Sequence, residues 1–184
     1  LRGETDIMIG SENTDEELFN VEELCMEKIY LAVPADRAVN KKCSEFILSA
    51  EDIKTNSEKL FMSECVNLGL FKKEKFIFRG NSDSNQNTLK KICRNAGFNP
   101  DITLESNSLD TVFSFVRTGL GAAFIPDTFI KFADISEHPA YYSINCPEAE
   151  KHIKLIYKKN KYLSRSAIEF SNTLRELIGM GTWK

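Results

Sequence analysis

Between Lys75 and Pro126 short apolar runs alternate with segments of helical period, and this alternation constrains the fold more than any other feature of the chain. The runs Phe76 to Phe78, Ile102 to Leu104 and Ala122 to Ile125 are continuous or β-branched and stop at turn residues, as buried strands do. Between the first two, Leu89, Ile92, Cys93 and Ala96 recur at i, i+3, i+4 and i+7, and Gly97 followed by Pro100 supplies a helix stop. Leu109, Val112, Phe113 and Val116 repeat the period, with Ser108 placed to cap the helix start and Gly119 just past its end. Five alternating elements with short connections predict an α/β layer with a largely parallel sheet and right-handed crossovers.

Outside this stretch the runs Asp6 to Ile9, Ile29 to Val33 and Ile153 to Tyr157 also read as strands. A helix is expected from Ser164, with Ala167, Phe170, Leu174 and Leu177 on one face. Asn40 to Lys75 lacks clear periodicity and reads as a crossover region rather than a core element. Charge is uneven: residues 2–30 hold nine acids and two bases, and residues 146–184 hold eight bases and four acids. The two ends are therefore expected to attract each other.

Several function classes are disfavoured. The net charge of -3 leaves no chain-wide basic footprint for nucleic acid. No apolar stretch approaches the roughly 18 to 20 residues needed to span a bilayer, and the start, LRGETDIMIGSENTDEE, is too polar for a signal peptide. Cys25, Cys43, Cys65, Cys93 and Cys146 are odd in number and scattered, with no CxxC pair. They read as reduced thiols of a cytoplasmic protein, so neither a metal nor a cofactor is expected. No GxSxG, HExxH, P-loop or GxGxxG string is present, and His138 and His152 are the only imidazoles. The expectation is a non-enzyme. Lys72, Lys73 and Lys75 read as solvated surface. Gly119-Leu120-Gly121 reads as a helix exit and a close strand approach rather than a phosphate cradle.

Two loops carry the functional signal. Ligands of open α/β sheets sit beyond the carboxyl ends of the strands, where helix starts point free N–H groups into the same space. Here the strand Phe76 to Phe78 is followed by Arg79-Gly80-Asn81-Ser82-Asp83-Ser84, and Ile102 to Leu104 by Ser106-Asn107-Ser108. Their hydroxyls and amides suit a small polar ligand. The same residue types also serve simply as helix caps, so either loop alone supports capping as well as binding.

The chain resembles the effector-binding domain of LysR-type transcriptional regulators. The resemblance rests on LRGETDIMIG at the start, LAVPAD at 31–36, EKFIFRGNSDSNQNTLKKICRNAGFNPDITLES at 74–106, SLDTVFSFVRTGLGAAFIP at 108–126 and IKLIYKKNKYLSRSAIEFSNTLREL at 153–177. It implies an α/β, type 2 periplasmic-binding-protein-like fold, with two Rossmann-like lobes joined by two crossover strands and a small effector held in the cleft. Residues 1–74 and 145–184 would form the first lobe and residues 75–144 the second. Carried over onto this sequence, Gly10 and Ser11 would contribute from the first lobe. Asn81, Ser82, Asp83, Ser106 and Asn107 would face the ligand from the second, with Phe124, Ile125 and Pro126 as an apolar wall. The Asp83 carboxylate would repel an acidic effector unless Arg79 offsets it, which favours a neutral, amine-bearing or hydroxylated ligand.

The resemblance further implies a homodimer or homotetramer, with Lys28 to Val33 or a neighbouring helix at the contact, and DNA binding only through a helix-turn-helix domain ahead of this region. A first strand-helix unit of the first lobe is also expected ahead of Leu1, so the sequence reads as a fragment with an incomplete ligand site and an exposed sheet edge open to another chain. A periplasmic-type solute-binding protein shares fold and cleft. The polar start and the unpaired cysteines argue against it.

Overall fold

A computed structural model describes residues 5–11, 14–80, 83–133 and 136–177. Contacts divide the chain into two compact units, residues 1–27 with 151–184 and residues 28–150. The boundaries therefore fall at 27/28 and 150/151, not at the expected 74/75 and 144/145. The reason lies in residues 28–74, whose apolar side chains pack with those of the middle of the chain.

The unit formed by residues 28–150 is a three-layer arrangement. Its strands are the second half of β2 (Phe19–Val33), β3 (Lys75–Arg79), β4 (Asp101–Ser106), β5 (Ala123–Pro126) and β6 (Ala140–Tyr142). β3 and β4 pair in parallel, and the bridge between Phe76 and Ala122 brings the start of β5 alongside β3, also in parallel. β2 runs antiparallel to β5 on one side and to β6 on the other. The sheet is thus mixed, its parallel part confined to the alternating stretch. Ile29, Leu31, Val33, Phe76, Phe78 and Phe124 face one apolar cluster, while Tyr30, Ala32, Ile77, Ala123 and Ile125 face the other. This period of two is what a sheet buried on both faces produces.

Helix α4 (Asp83–Asn95) covers the first face through Leu89, Ile92 and Cys93. Helix α5 (Leu109–Arg117) covers the second through Val112, Phe113 and Val116, and the Ser108 side chain accepts a hydrogen bond from Thr111 N. Both expected helix exits hold: Gly97 and Gly119 have φ of 84°. A Cβ on Gly121 would meet Lys75 O at 2.7 Å, so the close strand approach read from the sequence is present.

The expected crossover region is a core-building segment instead. It holds the short helices α1 (Ala38–Lys42), α2 (Ala50–Lys54) and α3 (Glu58–Met62), and it buries Cys43, Leu48, Ile53, Val66, Leu68 and Phe71. Five-residue helices complete too few turns to show a period. A further helix, α6 (Asp127–Phe132), follows β5 directly. Lys28 to Val33 cannot line a subunit contact through a strand edge, because Ile29 to Val33 are buried and both β2 edges are already paired.

In the other unit, β1 (Ile7–Gly10) pairs antiparallel with β7 (Glu150–Lys158), which also neighbours β2. Helix α7 (Arg165–Leu177) buries Ala167 and Ser171, whereas Phe170 and Leu177 are exposed. The expected apolar face is therefore rotated. The attraction between acidic start and basic end is realised within this unit: Arg175 grips Glu22 with two bonds of 2.6 and 2.5 Å, His152 meets Glu23 at 2.7 Å, and Lys161 meets Asp6 at 3.2 Å.

Candidate ligand-binding site

β3 and β4 end level with one another. Arg79 lies opposite Ser106 in the parallel register, and Gly80 N donates to Ser106 O at 3.0 Å. The chain then turns into α4 on one side and α5 on the other, so both helix starts leave from the same sheet edge. Ser108 N donates to Ser106 Oγ at 3.2 Å, which folds the Ser106-Asn107-Ser108 turn back on itself. Asn107 Oδ1 sits 3.4 Å from where a Gly80 Cβ would stand, with Gln86 Nε2 and Glu105 Oε2 each at 3.5 Å. Glycine at 80 keeps this corner open to the three polar groups.

Of the residues expected at the site, Ser106 and Asn107 are brought together at this edge. Asn81 and Ser82 lie outside the described residues, and Asp83 opens α4. Phe124 and Ile125 are buried: Phe124 stacks on Phe76 at 5.9 Å and meets Phe78 edge-on at 6.2 Å, and Ile125 lies in the opposite cluster. Of that trio only Pro126 retains partial exposure. Gly10 ends β1 in the other unit, paired with Lys154, and Ser11 follows it exposed.

Two residues at the edge escape sequence reading. Gln86 donates to Glu105 across the gap between α4 and β4 at 3.0 Å. Their separation along the chain hides the pairing, and the only hint is a carboxylate next to the Ser-Asn-Ser turn. Arg79 has its Nε buried with no hydrogen-bond partner. The edge therefore offers one guanidinium, one exposed carboxylate, and several hydroxyl and amide groups, a set suited to holding a polar molecule by hydrogen bonds.

Burial pushes Cys43, Cys65, Cys93 and Cys146 upward from the ordinary thiol value, Cys93 to about 12. Cys146 also donates to Glu148 at 2.7 Å, and with Lys91 this holds the Glu148 carboxyl down at about 2. Among the described residues there is no group of three side chains placed to hold a metal ion, and no helix is long and apolar enough to cross a membrane.

The chain matches the family model for the LysR substrate binding domain over residues 1–179. It is 25% identical over 177 residues to an uncharacterized HTH-type transcriptional regulator, YcgK, of Bacillus subtilis (strain 168), covering 96% of this chain and 53% of that one. The chain spans about half the length of the curated relatives it matches, 53% and 42%. Among solved structures, the CcmR regulatory domain of Synechocystis PCC6803 in complex with 2-PG superposes with a TM-score of 0.72 at 14% identity, over 96% of this chain and 75% of that one. The effector binding domain of QuiR in complex with shikimate gives 0.67 at 16% identity, over 98% and 75%. At such identities these structures establish the fold, which is type 2 periplasmic-binding-protein-like.

Proposed function

We propose that this chain, which belongs to the LysR substrate binding domain family, is the effector-sensing part of a bacterial transcriptional regulator. A small metabolite binds at the carboxyl edge of β3 and β4 and biases the arrangement of the subunits, and thereby the DNA contacts of a separate helix-turn-helix domain. Binding alters regulation only if the ligand's affinity differs between those arrangements. The reading includes a cytoplasmic homo-oligomer with no catalytic step. The observation that carries it is the level ending of β3 and β4, which sets Gly80, Ser106 and Asn107 side by side at one edge.

Ser106 and Asn107 are the proposed polar contacts, with Asn81, Ser82, Asp83 and Pro126 beside them. Phe124 and Ile125 act from behind by fixing the end of β5. The exposed Glu105 carboxylate at this edge favours a hydroxylated or amine-bearing ligand over a bare aromatic acid. BenM, another solved relative in fold, has benzoate as its effector, and QuiR is seen with shikimate. Shikimate and benzoate are therefore informative first probes, one hydroxylated and one not, alongside a panel of sugars and amines.

The test is a thermal-shift screen on the intact regulator, since a binder stabilises by mass action. At least one hydroxylated or amine-bearing compound is expected to raise the melting temperature of the parent protein. It should not raise that of the Ser106→Ala/Asn107→Ala variant. A compound that alters operator binding and acts undiminished on that variant overturns the site.

A further inference from the structure

A second cavity lies in the unit formed by residues 28–150, at the opposite edge of the sheet. The candidate effector loops follow the carboxyl ends of β3 and β4. Because β2 runs antiparallel to β5, with Ile29 opposite Pro126 and Ala32 opposite Ala123, the carboxyl end of β2 lies at the amino end of β5. There Pro34 and Ala35 leave β2, Ala140 enters β6, and α2 begins. A cavity of about 550 Å³ opens between them.

Its chemistry is unusual in one respect. Glu51 and Lys54 both line it, three residues apart on α2, a spacing at which opposite charges on a helix ordinarily meet. They form no ion pair here. Lys54 Nζ instead donates to Ala133 O at 3.0 Å, which leaves two of its three N–H groups uncommitted to that bond. The Glu51 carboxylate is solvent-exposed and has no side-chain partner among the described residues. The remaining wall is mixed: Ile47 and Pro139 present hydrocarbon, the Asn40 amide is consumed by Pro34 O, Ala35 O and the Tyr142 hydroxyl, and Ser136 and the His138 ring, whose Nδ1 lies 2.8 Å from the Tyr141 hydroxyl, complete the lining.

We infer that this cavity binds a free α-amino acid with a short aliphatic side chain, its carboxylate on Lys54, its ammonium on Glu51 and its side chain against Ile47 and Pro139. A zwitterion meets both groups at once, its carboxylate taking the Lys54 N–H groups left over from Ala133 O and its ammonium the solvent-exposed Glu51 carboxylate, which neither a simple acid nor a simple amine does. The volume falls in the range of small-ligand sites, roughly 300–1,000 Å³. This inference stands apart from the proposed effector edge and does not depend on it.

Calorimetric titration of the 184-residue chain with L-leucine tests it, with 4-methylpentanoate and isoamylamine as probes lacking one charge each. Saturable binding of L-leucine is expected, with both single-charge probes weaker. Glu51→Gln and Lys54→Met should each weaken L-leucine about tenfold or more, as losing one charge-assisted contact does. Ser106→Ala/Asn107→Ala should leave it unchanged, so that failure of the effector site and failure of this one are read separately. Circular dichroism of the variants confirms that they fold. The inference is overturned if L-leucine, L-valine and L-alanine all fail to saturate by about 10 mM. It is equally overturned if binding survives both charge variants, if only one of the two matters, or if the Ser106/Asn107 variant abolishes it.

Discussion

The two units are held by different forces. Every member of both buried clusters belongs to residues 28–150, where Phe76, Phe78 and Phe124 pack ring on ring and Phe71 meets Tyr142 at 5.0 Å. Its buried Asp127 carboxylate is satisfied: it accepts from Lys28 N at 3.1 Å and from Lys131 Nζ at 2.9 Å. In the other unit only Leu155, Ile156, Ala167 and Ser171 are buried among the described residues. Ile9, Leu18, Met26, Ile168, Phe170 and Leu177 are exposed, and the acidic and basic segments are tied by surface ion pairs and by the His152–Glu23 hydrogen bond. Burying a large apolar side chain is worth about 1.5–3 kcal/mol, whereas an exposed pair contributes roughly 0–1. The unit of residues 28–150 should therefore unfold later and independently, and the unit carrying β1 and α7 should open at lower free energy.

The sharpest way to break this contrast is Phe76→Ala. Phe76 has no exposed surface and touches Phe78, Phe98 and Phe124. Its truncation should cost about 3–5 kcal/mol. Hydrogen exchange resolved by segment should show the loss in β2, β3 and β5, with amides of β1 and α7 unaltered. Equal loss in both units would mean that they fold as one.

Gly121→Ala comes next. The added methyl group meets the Lys75 carbonyl at 2.7 Å and Ile77 Cγ1 at 3.2 Å, and backbone must move to admit it. A cost of about 1–3 kcal/mol is expected in urea unfolding, with the exchange change centred on the β3–β5 junction. Ser49→Ala is smaller, at about 1 kcal/mol, because it removes one half of the capping box in which Ser49 and Asp52 bond reciprocally. Its effect should stay within α2, read by exchange at Ile53 and Thr55.

The same contrast governs what the sequence reveals. Residues 76–126 are legible because a sheet covered on both faces writes itself as continuous apolar runs. The first half of β2 is not, because Glu22, Glu23 and Glu27 interrupt its pattern and two of them are occupied by partners from the far end of the chain. The α7 face is misread for a related reason: Ser171 is buried by donating to Ala167 O at 2.8 Å, while Phe170 stays at the surface. At the candidate site, Ser106 and Asn107 are legible as turn-forming types at a helix start. Gln86 and Glu105 are not, since their bond joins residues 19 apart. Phe124 and Ile125 look like a ligand wall by position alone, yet strand alternation sends one into each cluster.

The smallest effects concern the surface charges of the β1/α7 unit. Arg175 holds the Glu22 carboxyl below its ordinary value, and Ser164 with Lys161 does the same for Asp6. A carboxyl depressed in the folded state stabilises fully above its unfolded pKa, and the contribution disappears as pH falls through the folded value. Protection of β1 and α7 should therefore weaken below about pH 4, and at neutral pH it should also weaken with added salt, which screens exposed pairs. Arg175→Gln removes the cation of a pair that is over a third exposed, so its cost should be only about 0.5–1 kcal/mol. Its diagnostic effect is on slope: exchange of α7 amides should become less sensitive to pH and salt in the variant, while β3 and β5 remain as in the parent. Undiminished sensitivity in Arg175→Gln would show that packing, and not this ion pair, holds α7 in place.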